Sequence, residues 1–149
     1  MEEKPVYYLD SNVFINSSIN DLEIGNKCRS LLKEISSGKI IGITSCLSFD
    51  EIIWILRKIK PEGLIELSKS LLALNVKFVD VNKSILYKVV EIIEKYKLKP
   101  RDAIHLATMQ INNCKTIITS DSDFNKISEI EKINPIDLEF LDDSENNNE

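Results

Sequence analysis

Val6-Tyr7-Tyr8-Leu9-Asp10 and Thr116-Ile117-Ile118-Thr119-Ser120-Asp121 decide how this chain is read. Each is a short apolar run rich in aromatic or β-branched residues, bounded by polar ones, and so predicts a buried strand. Each is closed by a carboxylate. In open α/β sheets ligands gather beyond the carboxyl ends of the strands. Two such strands in one parallel sheet would set Asp10 and Asp121 across a single crevice. Like charges that close repel, and a hard cation coordinated by their oxygens relieves the repulsion.

Outward from these runs, short apolar segments alternate with amphipathic ones. Residues 5–10 predict a strand, with a short helix from Ser11. Residues 21–37 predict a helix ended by Ser37-Gly38. A strand is expected over Ile40–Thr44, a strongly apolar helix over 46–59, and another helix over 62–74 after Pro61 and Gly63. Val76–Val81 predicts a third strand, 83–97 and 100–113 two helices parted by Lys99-Pro100, and Thr116–Thr119 a fourth strand. Ser122–Ser128 reads as a helical turn and Ile133–Ile136, despite Pro135, as an edge strand. Strands alternating with helices imply βαβ units. The expected fold is a three-layer α/β/α sandwich, with residues 1–141 as one domain and 142–149 as an acidic disordered tail.

The composition fits a soluble globular domain: 149 residues, 43% hydrophobic and 29% charged. No apolar run approaches the roughly 20 residues that cross a bilayer, and the N-terminus lacks the basic start and apolar core of a signal peptide. Cys28, Cys46 and Cys114 cannot all pair, lie in apolar or helical contexts and form no C-x-x-C, so they predict reduced core thiols and a cytoplasmic protein. The net charge of −5 argues weakly against nucleic acid, but residues 142–149 hold four acids and no base. With those set aside, 19 bases face 20 acids. A local basic patch could still grip a phosphate backbone.

Each candidate carboxylate also has a plain structural reading. Asp10 and Asp121 could simply cap the helical turns that follow them. Glu51 sits in a helix that reads as apolar nearly all round, and hence buried. Ser48-x-x-Glu51 could form a capping box. If the helix starts near Thr44 or Ser45, however, Glu51 lies inside it among core residues and needs a partner, for which a metal ion fits best. Asp102 follows Pro100 in a first helical turn, where it suits the helix dipole and could pair with Arg101. His105, the one histidine, shares a helix face with Asp102 and reads more readily as a structural group, or as a support behind the ligands, than as a ligand. The bases Lys95, Lys97, Lys99 and Arg101 form either a solvated helix end or a phosphate-binding rim. A single histidine excludes a two-histidine ribonuclease. The absence of G-x-x-x-x-G-K-[ST], G-x-G-x-x-G and G-x-S-x-G disfavours nucleotide cradles and serine hydrolases.

Taken in order, Leu9-Asp10-Ser11-Asn12-Val13-Phe14, Glu51, Arg101-Asp102-Ala103-Ile104-His105-Leu106-Ala107 and Ile118-Thr119-Ser120-Asp121-Ser122-Asp123-Phe124 resemble the PIN-domain ribonucleases, the VapC-like toxins especially. The resemblance spans roughly residues 5 to 140. It implies a sheet of order 3-2-1-4-5 and one or two Mg²⁺ or Mn²⁺ ions held by Asp10, Glu51, Asp102 and Asp121. Asp123 would be an additional acid, and Asn12 and Thr119 would orient ligands or water. It further implies cleavage of single-stranded or looped RNA held by Lys99 and Arg101, a protein antitoxin and a homodimer. An oxygen-only ligand set suits those ions.

Other functions compete. A covalent phosphotransferase of the haloacid dehalogenase type expects Asp-x-Asp, where this chain has Asp10-Ser11-Asn12. A housekeeping RNA-processing nuclease and a catalytically idle partner-binding module remain as alternatives. Trp54, Ile55, Leu64 and Leu67 could form a dimer or antitoxin surface, although core packing is the expectation for Trp54.

Overall fold

The computed structural model describes residues 2–140; the predicted tail at 142–149 lies outside them. Five strands, β1 (Val6–Leu9), β2 (Ile41–Ser45), β3 (Val76–Val79), β4 (Thr116–Ile118) and β5 (Glu131–Ile133), form one sheet in the order β3-β2-β1-β4-β5. Every pairing is parallel. The helices are α1 (Ser11–Ile19), α2 (Glu23–Ser36), α3 (Cys46–Ile59), α4 (Leu64–Leu72), α5 (Lys83–Tyr96) and α6 (Pro100–Ile111). The fold is the α/β/α sandwich of order 3-2-1-4-5.

The sheet is covered on both faces, which is why its strands read as apolar runs instead of alternating. Successive residues of β1 point to opposite sides. Tyr8 enters a core with Ile85, Val89 and Ile92 of α5 and Leu106 of α6. Leu9 enters a second core with Val13 and Phe14 of α1, Leu31 of α2, Ile52 and Leu56 of α3, and Leu71 of α4. Burying side chains of this size contributes roughly 1.5–3 kcal/mol each.

Local chemistry sets the helix starts that matter for the site. Ser45 caps α3, its hydroxyl accepting from the Leu47 amide at 3.0 Å. Pro100 occupies the first turn of α6, where its missing N–H costs nothing. Asn82 caps α5, and Lys97, in the left-handed region with φ 56°, ends it.

Three expectations are corrected. The fifth strand is Glu131–Ile133, not Ile133–Ile136. Pro135 instead opens a 3-10 turn capped by Asn134, as its locked φ and missing donor favour. Helix α3 is not buried all round: Trp54 is 56% exposed, and Ile55 and Ile59 are exposed with it. Arg57 stacks 3.9 Å over the indole and Lys58 lies 5.2 Å from it, so cations rather than core atoms cover the ring. Cys46 is exposed, whereas Cys28 and Cys114 are buried as expected.

Candidate functional site

The order 3-2-1-4-5 reverses between β1 and β4. From β1 the chain runs through α1 and α2 to β2; from β3 it runs through α5 and α6 to β4. The connections diverge to opposite faces and leave a crevice at the carboxyl ends of the two central strands. Asp10 and Asp121 follow those strands and flank it.

Asp10 caps α1, as its structural reading expects, and follows β1 at the edge of the crevice. It is 6% exposed. Its Oδ1 accepts from the Ser11 amide at 2.7 Å. Its Oδ2 accepts from the Thr119 hydroxyl at 2.7 Å and the Asn12 amide at 3.1 Å. Thr119 is saturated: it donates to Asp10 and accepts from Asn12 Nδ2 at 3.1 Å and from the Asp121 amide at 2.9 Å. One buried hydroxyl thus ties the ends of β1 and β4 together.

Glu51 lies inside α3, which begins at Cys46, so no Ser48-to-Glu51 capping box forms. Ser48 is buried and meets the Thr44 hydroxyl at 2.7 Å. The Glu51 carboxylate meets His105 Nε2 at 2.8 Å, and the same nitrogen is 3.7 Å from Asp10 Oδ1. His105 Nδ1 meets the Tyr8 hydroxyl at 2.6 Å. Burial disfavours the charged imidazole, but the Glu51 hydrogen bond and the charges of Asp10, Glu51 and Asp102 outweigh it and raise the His105 pKa. Burial, and then the Asp10 charge, push the Tyr8 phenol well above its usual range.

Asp102, Asp121 and Asp123 form the outer half, and all three are part-exposed. Asp121 caps the 3-10 turn Ser122–Lys126, accepting from the Asp123 amide at 2.9 Å. Burial, then repulsion from Asp121 and further from Asp10 and Asp123, raise the Asp102 pKa to about 6 despite His105. Lys99 reaches Asp123 at 3.4 Å. Lys99, Pro100 and Arg101 rim an open cleft of about 450 Å³ floored by Glu51, Asp102, Asp121 and Asp123. Arg101 makes no ion pair with Asp102 among the described residues, and Lys95 is drawn away to Glu129 at 3.5 Å.

The structure therefore brings together Asp10, Glu51, Asp102, Asp121 and Asp123, sets Asn12 and Thr119 against Asp10, and places Lys99 and Arg101 on the rim. Ligating atoms of Asp10, Glu51 and His105 lie within 4.8 Å of one another, as do those of Asp102, Asp121 and Asp123. This donor set fits a divalent cation. It is rich in hard oxygens, burial and then the neighbouring acids push the Asp102 carboxyl up to about 6, and Asn12 Oδ1 is the one buried side-chain acceptor without a hydrogen-bond partner among the described residues. Sequence reasoning left out Tyr8, and it read His105 as a structural group or a support behind the ligands more readily than as a ligand. The available signal was a lone histidine on a buried face of α6, one turn beyond Asp102.

A family model described as PIN domain matches residues 7–130. No curated protein matches. Among solved structures, the chain is similar to a toxin–antitoxin complex from Klebsiella pneumoniae, with 22% identity, a TM-score of 0.63, and coverage of 87% of this chain and 97% of that one. It is similar to VapC20 of Mycobacterium tuberculosis, a toxin cleaving the sarcin–ricin loop, at 14% identity and a TM-score of 0.68 over 84% and 97% of the two chains. It is also similar to VapBC2 of Rickettsia felis bound to promoter DNA, at 15% and 0.67 over 86% and 97%.

Proposed function

The chain belongs to the PIN-domain family, and from that membership we propose that it is a metal-dependent endoribonuclease, acting in the cytoplasm as the toxin of a toxin–antitoxin pair. The observation that carries the reading is the convergence of four carboxylates, Glu51, Asp102, Asp121 and Asp123, on one cleft with Lys99 and Arg101 at its rim and Asp10 grouped with Glu51 behind it. Structural ion pairs would need matching bases inside, and among the described residues only His105 lies there.

Asp10, Glu51, Asp102 and Asp121 would hold one or two Mg²⁺ or Mn²⁺ ions, with Asp123 beside them. Bound, such an ion supplies charge neutralisation and Lewis-acid activation of a phosphodiester and of water. The chain's own residues do the rest. Thr119 and Asn12 hold both Asp10 oxygens in place. Asp121, fixed by its capping bond, faces Asp10 across the crevice. Lys99 and Arg101 attract and orient the sugar–phosphate backbone, contacts that position a strand without reading its sequence. The open cleft accepts an extended strand or loop.

Two features support the toxin assignment. The similar solved proteins are toxins or toxin–antitoxin complexes, one of which cleaves an RNA loop. In addition, Trp54, Ile55 and Ile59 on α3 and Ile65 and Leu72 on α4 are exposed apolar side chains suited to a protein partner, either an antitoxin or a second copy of the chain.

The test is cleavage of a mixed RNA panel with Mg²⁺, Mn²⁺ or EDTA, by the wild type and by Asp10→Asn. Cleavage is expected with either ion and is lost with EDTA and in the variant. Full activity of folded Asp10→Asn would overturn the assignment.

A further inference from the structure

The inner half of the site carries a group that metal chemistry alone does not require. His105 is 1% exposed and Tyr8 is 0% exposed, so solvent does not compete for their polar atoms. Nε2 of His105 faces two carboxylates, Glu51 at 2.8 Å and Asp10 at 3.7 Å. Carboxylates accept hydrogen bonds and do not donate them, so Nε2 bears the proton. Nδ1 faces the Tyr8 hydroxyl at 2.6 Å, a group able either to donate or to accept. The ring therefore keeps its orientation, and its Nε2–H, whether it carries one proton or two.

Glu51 depends on that donor. Among the described residues its carboxylate has no other hydrogen-bond partner, whereas Asp10 is held from several sides. An unheld glutamate has three side-chain torsions to order when it takes up a ligand's role, an entropic cost. A buried donor that fixes it beforehand removes that cost from metal binding. The latch also joins the two halves of the site, because α6 supplies both His105 and, one turn earlier, Asp102.

We propose that His105 is a positioning residue: its Nε2–H latches the Glu51 carboxylate toward Asp10, and Tyr8 sets the ring that does so. This rests on the proposed role of Glu51 as a metal ligand. Hydrogen-bond partners of metal-ligating residues typically govern about 10–100-fold in affinity.

The test compares two amides in the tag-free protein. In His105→Gln the amide nitrogen falls near the Nε2 position and can still donate to Glu51. In His105→Asn it falls near Nδ1, toward Tyr8, and cannot reach. Mn²⁺ titrations of the folded proteins should show His105→Gln within about threefold of the wild type and His105→Asn weaker by roughly 10–100-fold. Equal affinity in all three would make His105 merely structural and overturn the proposal. Loss in both variants, together with nitrogen coupling in the Mn²⁺ spectrum of the wild type, would make it a ligand and overturn the proposal as well. No Mn²⁺ binding by the wild type would overturn the metal reading itself, and the latch with it. Should neither variant fold, ¹⁵N spectra of the wild type decide, since His105 is the only histidine. An Nε2–H ring with and without Mg²⁺ supports the latch, and a proton on Nδ1 alone overturns it.

Discussion

The two halves of the acidic site are built on different principles. Asp10 and Glu51 are held in advance: Thr119, Asn12, the Ser11 amide and His105 occupy their oxygens, and Tyr8 and His105 are sealed from solvent. Asp102, Asp121 and Asp123 are part-exposed and lean on one another, with Lys99 as their one ion-pair partner among the described residues. The inner half has its geometry fixed by the protein's own hydrogen bonds. In the outer half, burial first and then repulsion from Asp121, Asp10 and Asp123 raise the pKa of Asp102. Substitutions inside should therefore remove function outright or loosen the fold, and substitutions outside should tune charge and pH response.

The largest effect is expected from Glu51→Gln. It keeps an oxygen for His105 and removes the charge, so RNA cleavage at saturating Mn²⁺ should fall by roughly 10³-fold, reflecting the several kcal/mol an activating metal supplies, with the melting temperature nearly unchanged. A mild loss would place the chemistry in the outer half. Thr119→Val comes next. Valine leaves Asp10, Asn12 and the Asp121 amide each short of a partner, which should cost about 1–3 kcal/mol in thermal or denaturant unfolding, while Thr119→Ser restores most of it. No loss of stability would mean that the inner half is not pre-held.

Asp102 sharpens the contrast through pH. Its folded pKa of about 6 lies above the ordinary 3.8. Its contribution to stability is therefore fully present below pH 3.8 and is lost as pH rises through about 6. In metal-free protein at pH 7, Asp102→Asn should raise the melting temperature, by no more than a few degrees because solvent screens a half-exposed carboxyl. Metal needs the ionised carboxylate, so Mn²⁺ affinity of the wild type should climb through about pH 6, and the variant should flatten that climb. The smallest effect is expected at Asp123, whose exposed pairing with Lys99 is worth about 0–1 kcal/mol. Asp123→Asn should change Mn²⁺ affinity less than about threefold. A larger change would promote it to an essential ligand.

What the sequence disclosed follows the same division. Asp10 and Asp121 were legible because strand ends and caps are local patterns, and both residues do cap. Asp102 was legible as a first-turn acid after Pro100. Its approach to the sheet edge depends on how α5 and α6 cross the face, which periodicity does not encode. The Glu51–His105–Tyr8 chain was illegible for the same reason, since its partners lie 54 and 97 residues apart. Trp54 misled because an apolar run looks alike whether a core or flanking cations cover it. Pro135 misled because an isoleucine-flanked proline mimics an edge strand until Asn134 is seen to cap a turn.

The most direct test of the account is a crystal structure grown with Mn²⁺ and read by anomalous scattering. The account predicts a peak between Asp10 and Glu51, with His105 Nε2 still hydrogen-bonded to Glu51 and the outer carboxylates drawn toward the ion or toward a second peak. Well-ordered crystals with saturating Mn²⁺ and no peak among these carboxylates would contradict it.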